Sequence, residues 1–486
     1  MVKKTIDILF NVFYYKVALM FFLIPTLLVY CVSFSYKPMF VMMGWGALVC
    51  VYDLFVRRNF VKTRGMLWLI GFLGVFALSV LLNFRVDFSL NFSSWAYSVI
   101  ALFLLYPDCA TKDKYIALKE LCVINNIFIA MTTIFSTISL GMFVCLYGKR
   151  IAFGDQFYPV GWDSNRLFGV YSNTGYMITA IALAVIVIQV FVLKRKNGKV
   201  SKPYKAFLLY TAIVDFCSMC MENAKAAFIS LAGFVAVLAF FVVFRKMMEK
   251  GKKVFPTYFI STLSGILAVT LMFGMIYAIR PVLSYVPGVY HQLGGHYYNE
   301  EPQKEGEGKQ EDKFDGVDID RNIHDSYGFF TGRTVIWKFG LEQFKAKPIF
   351  GYGPQSHRAY TPVDGNLRHF HNLIVHALVS VGAVGSIFIF TFFITVFVYL
   401  LKKLLQKGKT GDENYFVAVA IFALLVMLGI NSMAEVTILF IARFAMFLFW
   451  MLLGYDLALV NDGEKARGTK LLEVINDKAN NILKKK

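Results

Sequence analysis

HNLIVHALVSVGAVGSIFIFTFFITVFVYL, His371 to Leu400, settles the class of fold, because no Asp, Glu, Lys or Arg interrupts it. A helix that crosses a bilayer needs roughly 17–25 mainly apolar residues, and inside hydrocarbon it must satisfy its own main-chain polar groups. Comparable runs begin near Val17, Met39, Met66, Trp95, Leu121 and Val170, and again near Lys205, Ala226, Thr257, Tyr415 and Thr437. Counted with the quoted stretch, they predict an all-α polytopic integral membrane protein with about 12 transmembrane helices. The fourth, Trp95 to Tyr106, is the shortest.

Composition agrees. Of the 486 residues, 57% are hydrophobic, above the ~45–50% of soluble domains. The formal charge of +19 does not point to nucleic acid, since Lys and Arg sit in short clusters between apolar runs, which is a topology signal. The seven cysteines lie mostly inside apolar segments and read as small hydrophobes, Cys217 and Cys220 included. MVKKTIDILF leads straight into a span and has no small-residue cleavage site, so it is expected to remain as an anchor.

Basic clusters fix the orientation. Arg57 to Arg64, Lys194 to Lys205, Arg245 to Lys253, Lys402 to Lys409 and the tail ending at Lys486 each follow an even-numbered span or a return to the same side, which makes these connections cytoplasmic. The segments 148–167, 221–225, 280–370 and 431–436 then face outside. The expected organisation is helices 1–9 over 1–279, an extracytoplasmic loop over 280–370, helices 10–12 over 371–459 and a basic cytoplasmic tail over 460–486. Such a chain lies in a membrane, among membrane lipids, with both ends in the cytoplasm. A two-repeat transporter is the rival class, but no motif recurs between the halves and the long loop lies outside, between spans nine and ten.

Within that loop, residues 299–321 carry nine acids and read as a mobile segment. TGRTVIWKFGLEQF at 331–344 predicts an amphipathic surface helix with Arg333, Trp337, Gly340 and Phe344 on one face. Pro348 ends it and GYGP at 351–354 is a turn.

His371 and Asn372 open the tenth span. At ~100° per residue Gly382 falls on the face of His371, with Gly385 ~40° away. Glycines there let another helix approach closely and would hold the imidazole at the membrane surface, with a packed helix bearing an incidental polar cap as the lesser alternative. His371 and His376 diverge by ~140°, so no metal is expected from the His369, His371 and His376 cluster. Arg166 lies in SNRLFGVYSN before the sixth span, and Lys225 lies in MENAKAAF at a helix start. Singly each fits a snorkelling cation. Jointly with Arg333 and His371 they suggest a positively charged pocket suited to diphosphate.

His371-Asn372, nine residues, Gly382, two residues and Gly385 resembles the signature of the O-antigen ligase and polymerase family. GRTVIWKFGLEQFKAKPIFGYG resembles that family's long-loop pattern, and RLFGVYSN resembles its Arg-containing loop. ENAKAAF stands where the family commonly has Ser-Arg-Gly-Ala, with Lys225 in place of the Arg. The motifs cover roughly Asn165 to Gly385.

The resemblance implies a metal-independent, inverting glycosyltransferase without a cofactor. Its donor would be a polyprenyl-diphosphate-linked glycan and its acceptor a glycan or lipid, with a flippase and a chain-length regulator as partners. His371 would be the general base. Arg166, Lys225, Arg333 and Asn372 would bind substrate, the cations stabilising the departing diphosphate. Glu435 reads first as a plain surface carboxylate, with orienting His371 or meeting the acceptor as the other role open to it, and Trp337 is a further candidate. Asp215 and Arg443, costly in lipid, are expected to face protein or water. The same resemblance leaves a ligase beside the polymerase.

Overall fold

The computed structural model describes residues 8–31, 36–153, 156–172, 177–195, 200–298, 317, 333–356 and 369–461. The acidic segment expected over 299–321 and the basic tail lie outside the described residues, Val317 and Val460–Asn461 aside.

In chain order the principal helices are α1 (Val12–Leu23), α2 (Tyr36–Tyr52), α3 (Met66–Leu82), α4 (Phe88–Ala110) and α5 (Lys114–Val144). Three strands follow, β1 (Gly148–Phe153), β2 (Gln156–Asp163) and β3 (Arg166–Gly169). Then come α6 (Ile178–Arg195), α7 (Lys202–Glu222), α8 (Lys225–Glu249), α9 (Val254–Ser284), α10 (Arg333–Ala346), α11 (Leu373–Thr410), α12 (Tyr415–Ser432) and α13 (Phe444–Val460). Among the described residues nine helices are long and apolar enough to cross a membrane, and three shorter apolar helices, Val12–Leu27, Met66–Leu82 and Phe444–Val460, accompany them. The protein is a multi-pass, all-α membrane protein.

Four boundaries differ from those read in the sequence. The fourth span is longer than its apolar centre suggested, because a π-helical stretch at Ile100–Leu105 continues it to Ala110. The sixth begins at Ile178 rather than near Val170, and the twelfth at Phe444 rather than near Thr437, where the preceding residues 437–443 form an irregular connection. The ninth helix runs past 279 to Ser284, and a further short helix covers Val286–Gln292.

The chain forms two compact units, one of Met1–Leu19, Met39–Leu121 and Asp325–Lys486, the other of Met20–Pro38 and Cys122–His324. The first unit contains a buried ionic knot. Lys16 Nζ lies 2.7 Å from Asp108 and 2.8 Å from Glu120, donates to Tyr455 Oη at 3.1 Å, and shares both acids with Lys112. A fully buried ammonium is tolerated only where such partners replace its water.

In the second unit an antiparallel sheet, β1–β2–β3, occupies the connection between α5 and α6. Gly161 carries φ +76° because a Cβ there would stand 1.9 Å from the Tyr147 carbonyl oxygen, and β2 bulges beside it. Arg150 grips Asp163 with two bonds, 2.9 and 3.0 Å, and holds its carboxyl below the usual carboxylate range. Asp215, within α7, is fully buried in protein, as its charge requires.

Candidate active site

The base expected at His371 stands just before α11, in the left-handed conformation at φ +49°. Asn372 caps the helix. Its Oδ1 accepts from the N–H groups of Ile374 at 2.9 Å and Val375 at 3.1 Å, while its Nδ2 donates to the Met433 carbonyl at 3.2 Å. Asn372 was expected to bind substrate. Its side chain is instead committed at both ends to the main chain, which satisfies orphan amides of the first turn and ties α11 to the 433–443 connection.

That tie brings in Glu435. His371 Nδ1 lies 2.8 Å from Glu435 Oε1. A carboxylate only accepts, so Nδ1 carries the proton and the lone pair of the neutral ring is left on Nε2. The imidazole remains 31% exposed, against 11% for the Glu435 side chain. Arg333 Nη2 reaches Glu435 Oε1 at 3.5 Å, and His369 Nε2 and Arg443 Nη1 stand 3.3 and 4.0 Å from Oε2. Two guanidiniums against one carboxylate leave the cluster net cationic even with both imidazoles neutral.

The glycines of the motif position this cluster, although not quite as a single helical face. At Gly382 α11 is broken, with φ +67° and ψ −172°. The turn after α10 fits into the break: Ala383 N–H donates to the Pro348 carbonyl at 2.7 Å, and Tyr352 and Gly353 donate to Val379 and Ser380 at 2.9 and 2.8 Å. A Cβ on Gly382 would stand 2.1 Å from the Ile349 carbonyl oxygen. The close neighbour expected there as a helix is therefore the Pro348–Gly353 turn. At Gly385 a helix does approach, since a Cβ would come within 3.2 Å of Val75 on α3. Asn83 donates to the Gly351 carbonyl at 3.2 Å and accepts from Lys347 Nζ at 2.8 Å, which fastens the turn to the end of α3.

The helix expected near 331–344 is α10, and it packs on protein through its predicted face. Gly340 is buried because a Cβ would stand 2.5 Å from Val375 and 2.8 Å from Phe370. Trp337 and Phe344 lie against the core of Tyr352, Phe370, Val375 and Val379. Arg333 thus starts a helix locked to α11, the helix that His371 precedes.

Metal binding was set aside in the sequence because His371 and His376 diverge. His376 does turn away, its ring 5.3 Å from Phe440. A different trio comes together instead: His369, His371 and Glu435 each offer a ligand atom, all within 4.8 Å of one another. The adjacent guanidiniums of Arg333 and Arg443, 3.5 and 4.0 Å from the carboxylate, repel a divalent cation. His369 and Arg443 are the site residues that sequence reasoning left unassigned. Arg443 occupies the N-cap position of α13 rather than the span interior, and its isolation among apolar residues was the available signal.

Arg166 and Lys225 belong to the second unit. A two-residue turn, Ser164–Asn165, with φ of 52° and 56°, joins β2 to β3. It delivers Arg166, whose Nε donates to the Glu222 carbonyl at 2.8 Å. Asn223 turns left-handed and Lys225, exposed, begins α8 as expected. Both cations therefore attend the α7–α8 junction.

Residues 164–390 match a family model described as O-antigen ligase. The exopolysaccharide production protein ExoQ of Rhizobium meliloti (strain 1021) is 26% identical over 136 residues, which cover 26% of this chain and 30% of that protein. The matched stretch takes in Arg166, Lys225, Arg333, His371 and both motif glycines, and over it the chain is similar to the O-antigen ligase family.

Proposed function

We propose that this protein is a metal-independent, inverting glycosyltransferase that moves a glycan from a polyprenyl-diphosphate carrier to a growing chain, thereby polymerising repeat units of a surface polysaccharide. The observation that supports this best is the 2.8 Å pair of His371 Nδ1 and Glu435, which leaves Nε2 as a base beside a cationic cluster. An acceptor hydroxyl gives its proton to Nε2 as its oxygen bonds the anomeric carbon. The bond from that carbon to the phosphate oxygen breaks, its electrons leave with the diphosphate, and the configuration inverts. Glu435 stabilises the imidazolium that forms, the part a carboxylate plays toward histidine in the Ser-His-Asp triad.

Arg333, beside Glu435, is suited by its fork to phosphate oxygens and would stabilise charge on the leaving group. In the second unit, taken by itself, Arg166 and Lys225 stand at the start of α8, where main-chain amides and the helix dipole favour an anion. The positive-inside pattern supports an extracytoplasmic site for this chemistry, in a bacterial cytoplasmic membrane. Polymerisation is preferred to ligation because the relative is named for exopolysaccharide production.

Purified protein given a synthetic polyprenyl-diphosphate-linked repeat unit should lengthen it, release polyprenyl diphosphate and form a linkage whose anomeric configuration, read by NMR, is opposite to the donor's. Retained configuration would overturn the direct displacement. Transfer only to an added lipid or wall acceptor would assign the ligase, and movement of the donor across the bilayer without bond cleavage would assign a transporter.

A further inference from the structure

We infer that His369 is a positioning residue for the base, an inference that rests on the proposed role of His371. His369 is 5% exposed and stands in the bend that leads into α11. Its two ring nitrogens face different parts of the same catalytic pair. The main-chain N–H of His371 donates to His369 Nδ1 at 3.2 Å, and His369 Nε2 lies 3.3 Å from Glu435 Oε2. The carboxylate is thus shared, with Oε1 facing the ring of His371 and Oε2 facing the ring of His369.

These contacts select one tautomer. An N–H donating to Nδ1 requires a lone pair there, so the proton of the neutral ring is on Nε2, which stands 3.3 Å from Glu435 Oε2. The alternative tautomer would let Nε2 accept from Arg443 Nη2 at 3.4 Å. It would also set two N–H groups against each other at 3.2 Å and a lone pair against the carboxylate at 3.3 Å. The Nε2–H tautomer suits both the His371 N–H and the Glu435 carboxylate. Arg443, 4.0 Å from Glu435 Oε2, and Arg333, 3.5 Å from Oε1, hold the carboxylate in place from the other elements packed around it.

His369 therefore holds the base at two points, the main chain through Nδ1 and the ring indirectly through Glu435. The left-handed φ of His371, +49°, is a conformation most side chains avoid, and the Nδ1 acceptor is placed to favour it. His369 needs no contact with substrate to do this, and it acts only through His371.

Asparagine and glutamine separate the two functions, because an Asn amide reaches about as far as Nδ1 and a Gln amide about as far as Nε2. With a synthetic polyprenyl-diphosphate-linked repeat unit as donor, His369→Ala should lower kcat by roughly 10–100-fold and leave KM for the donor within about twofold. Either His369→Asn or His369→Gln should recover part of that loss. The double variant His369→Ala/His371→Ala should be no slower than His371→Ala alone, since a positioning residue has nothing left to position. A double variant at least tenfold slower than His371→Ala, at equal membrane abundance, would overturn the inference, as would full activity in His369→Ala. Full activity in His371→Ala would instead remove the base assignment itself, a distinguishable failure.

Discussion

In the proposed mechanism His371 and Glu435 make an ordinary imidazole a directed base. The 2.8 Å contact fixes the tautomer, and the surrounding guanidiniums fix the carboxylate. Glu435→Gln keeps the shape and an acceptor but loses the charge that stabilises imidazolium. It should lower kcat by roughly 10–100-fold with donor KM little changed, measured in steady-state transfer assays. The cations call for a graded test. Arg333→Lys and Arg166→Lys retain charge but lose the fork, so transfer should fall, and Ala at either place should be worse. Lys225→Arg should be tolerated or faster. Unchanged donor affinity and turnover in all three Ala variants would place the diphosphate elsewhere. At this scale the sequence showed the residues but not their neighbours: Glu435 was legible as an orienting group only behind a plain surface carboxylate, whereas His369 and Arg443 needed the bend before α11 and the cap of α13 to bring them in.

The glycine motif acts at the scale of elements. Gly382 opens α11 so that the Pro348–Gly353 turn enters it, which links α10, bearing Arg333, to the helix that His371 precedes. A residue with a Cβ at φ +67° and ψ −172° costs about 1–3 kcal/mol in backbone strain, and here it also meets the Ile349 carbonyl oxygen at 2.1 Å. Gly382→Ala should therefore reduce both turnover and thermal stability in detergent, whereas Gly74→Ala, with nothing within 4 Å of its added Cβ, should change neither by much. Equal effects would show that the break is not what these glycines provide. Periodicity revealed that Gly382 and Gly385 matter together with His371, because both lie on its face of an ideal helix. It could not reveal the break, since a run of apolar residues reads the same whether α11 is continuous or interrupted. The β-hairpins between α5 and α6 escaped for a related reason: GKRIAF and QFYPVGWD are short and mixed, and their pairing is set by positive φ at Gly161, Ser164 and Asn165.

For the whole molecule, length and charge patterning carried the class of fold, since twenty-residue apolar runs have few alternatives. They carried none of the buried ionic contacts that hold α1, α4, α5 and α13 together, because Lys16, Asp108, Glu120 and Tyr455 are far apart in sequence. Lys16→Met leaves two buried carboxylates to Lys112 alone and should destabilise by about 3–5 kcal/mol, visible as lost folded protein in detergent. A Lys16→Met/Asp108→Asn variant should recover part of it, and its failure to do so would deny the pair its structural role. Orientation is checked in intact cells: in a variant lacking the native cysteines, Cys at Gly306 should react with an impermeant thiol reagent and Cys at Gly198 should not. The central assignment is tested most directly by single-turnover transfer in proteoliposomes at saturating lipid-linked donor, comparing the unaltered protein with His371→Ala at matched abundance. A rate lower by about 10²–10⁴-fold with unchanged donor affinity is expected of a lost general base; an unchanged rate would contradict the assignment.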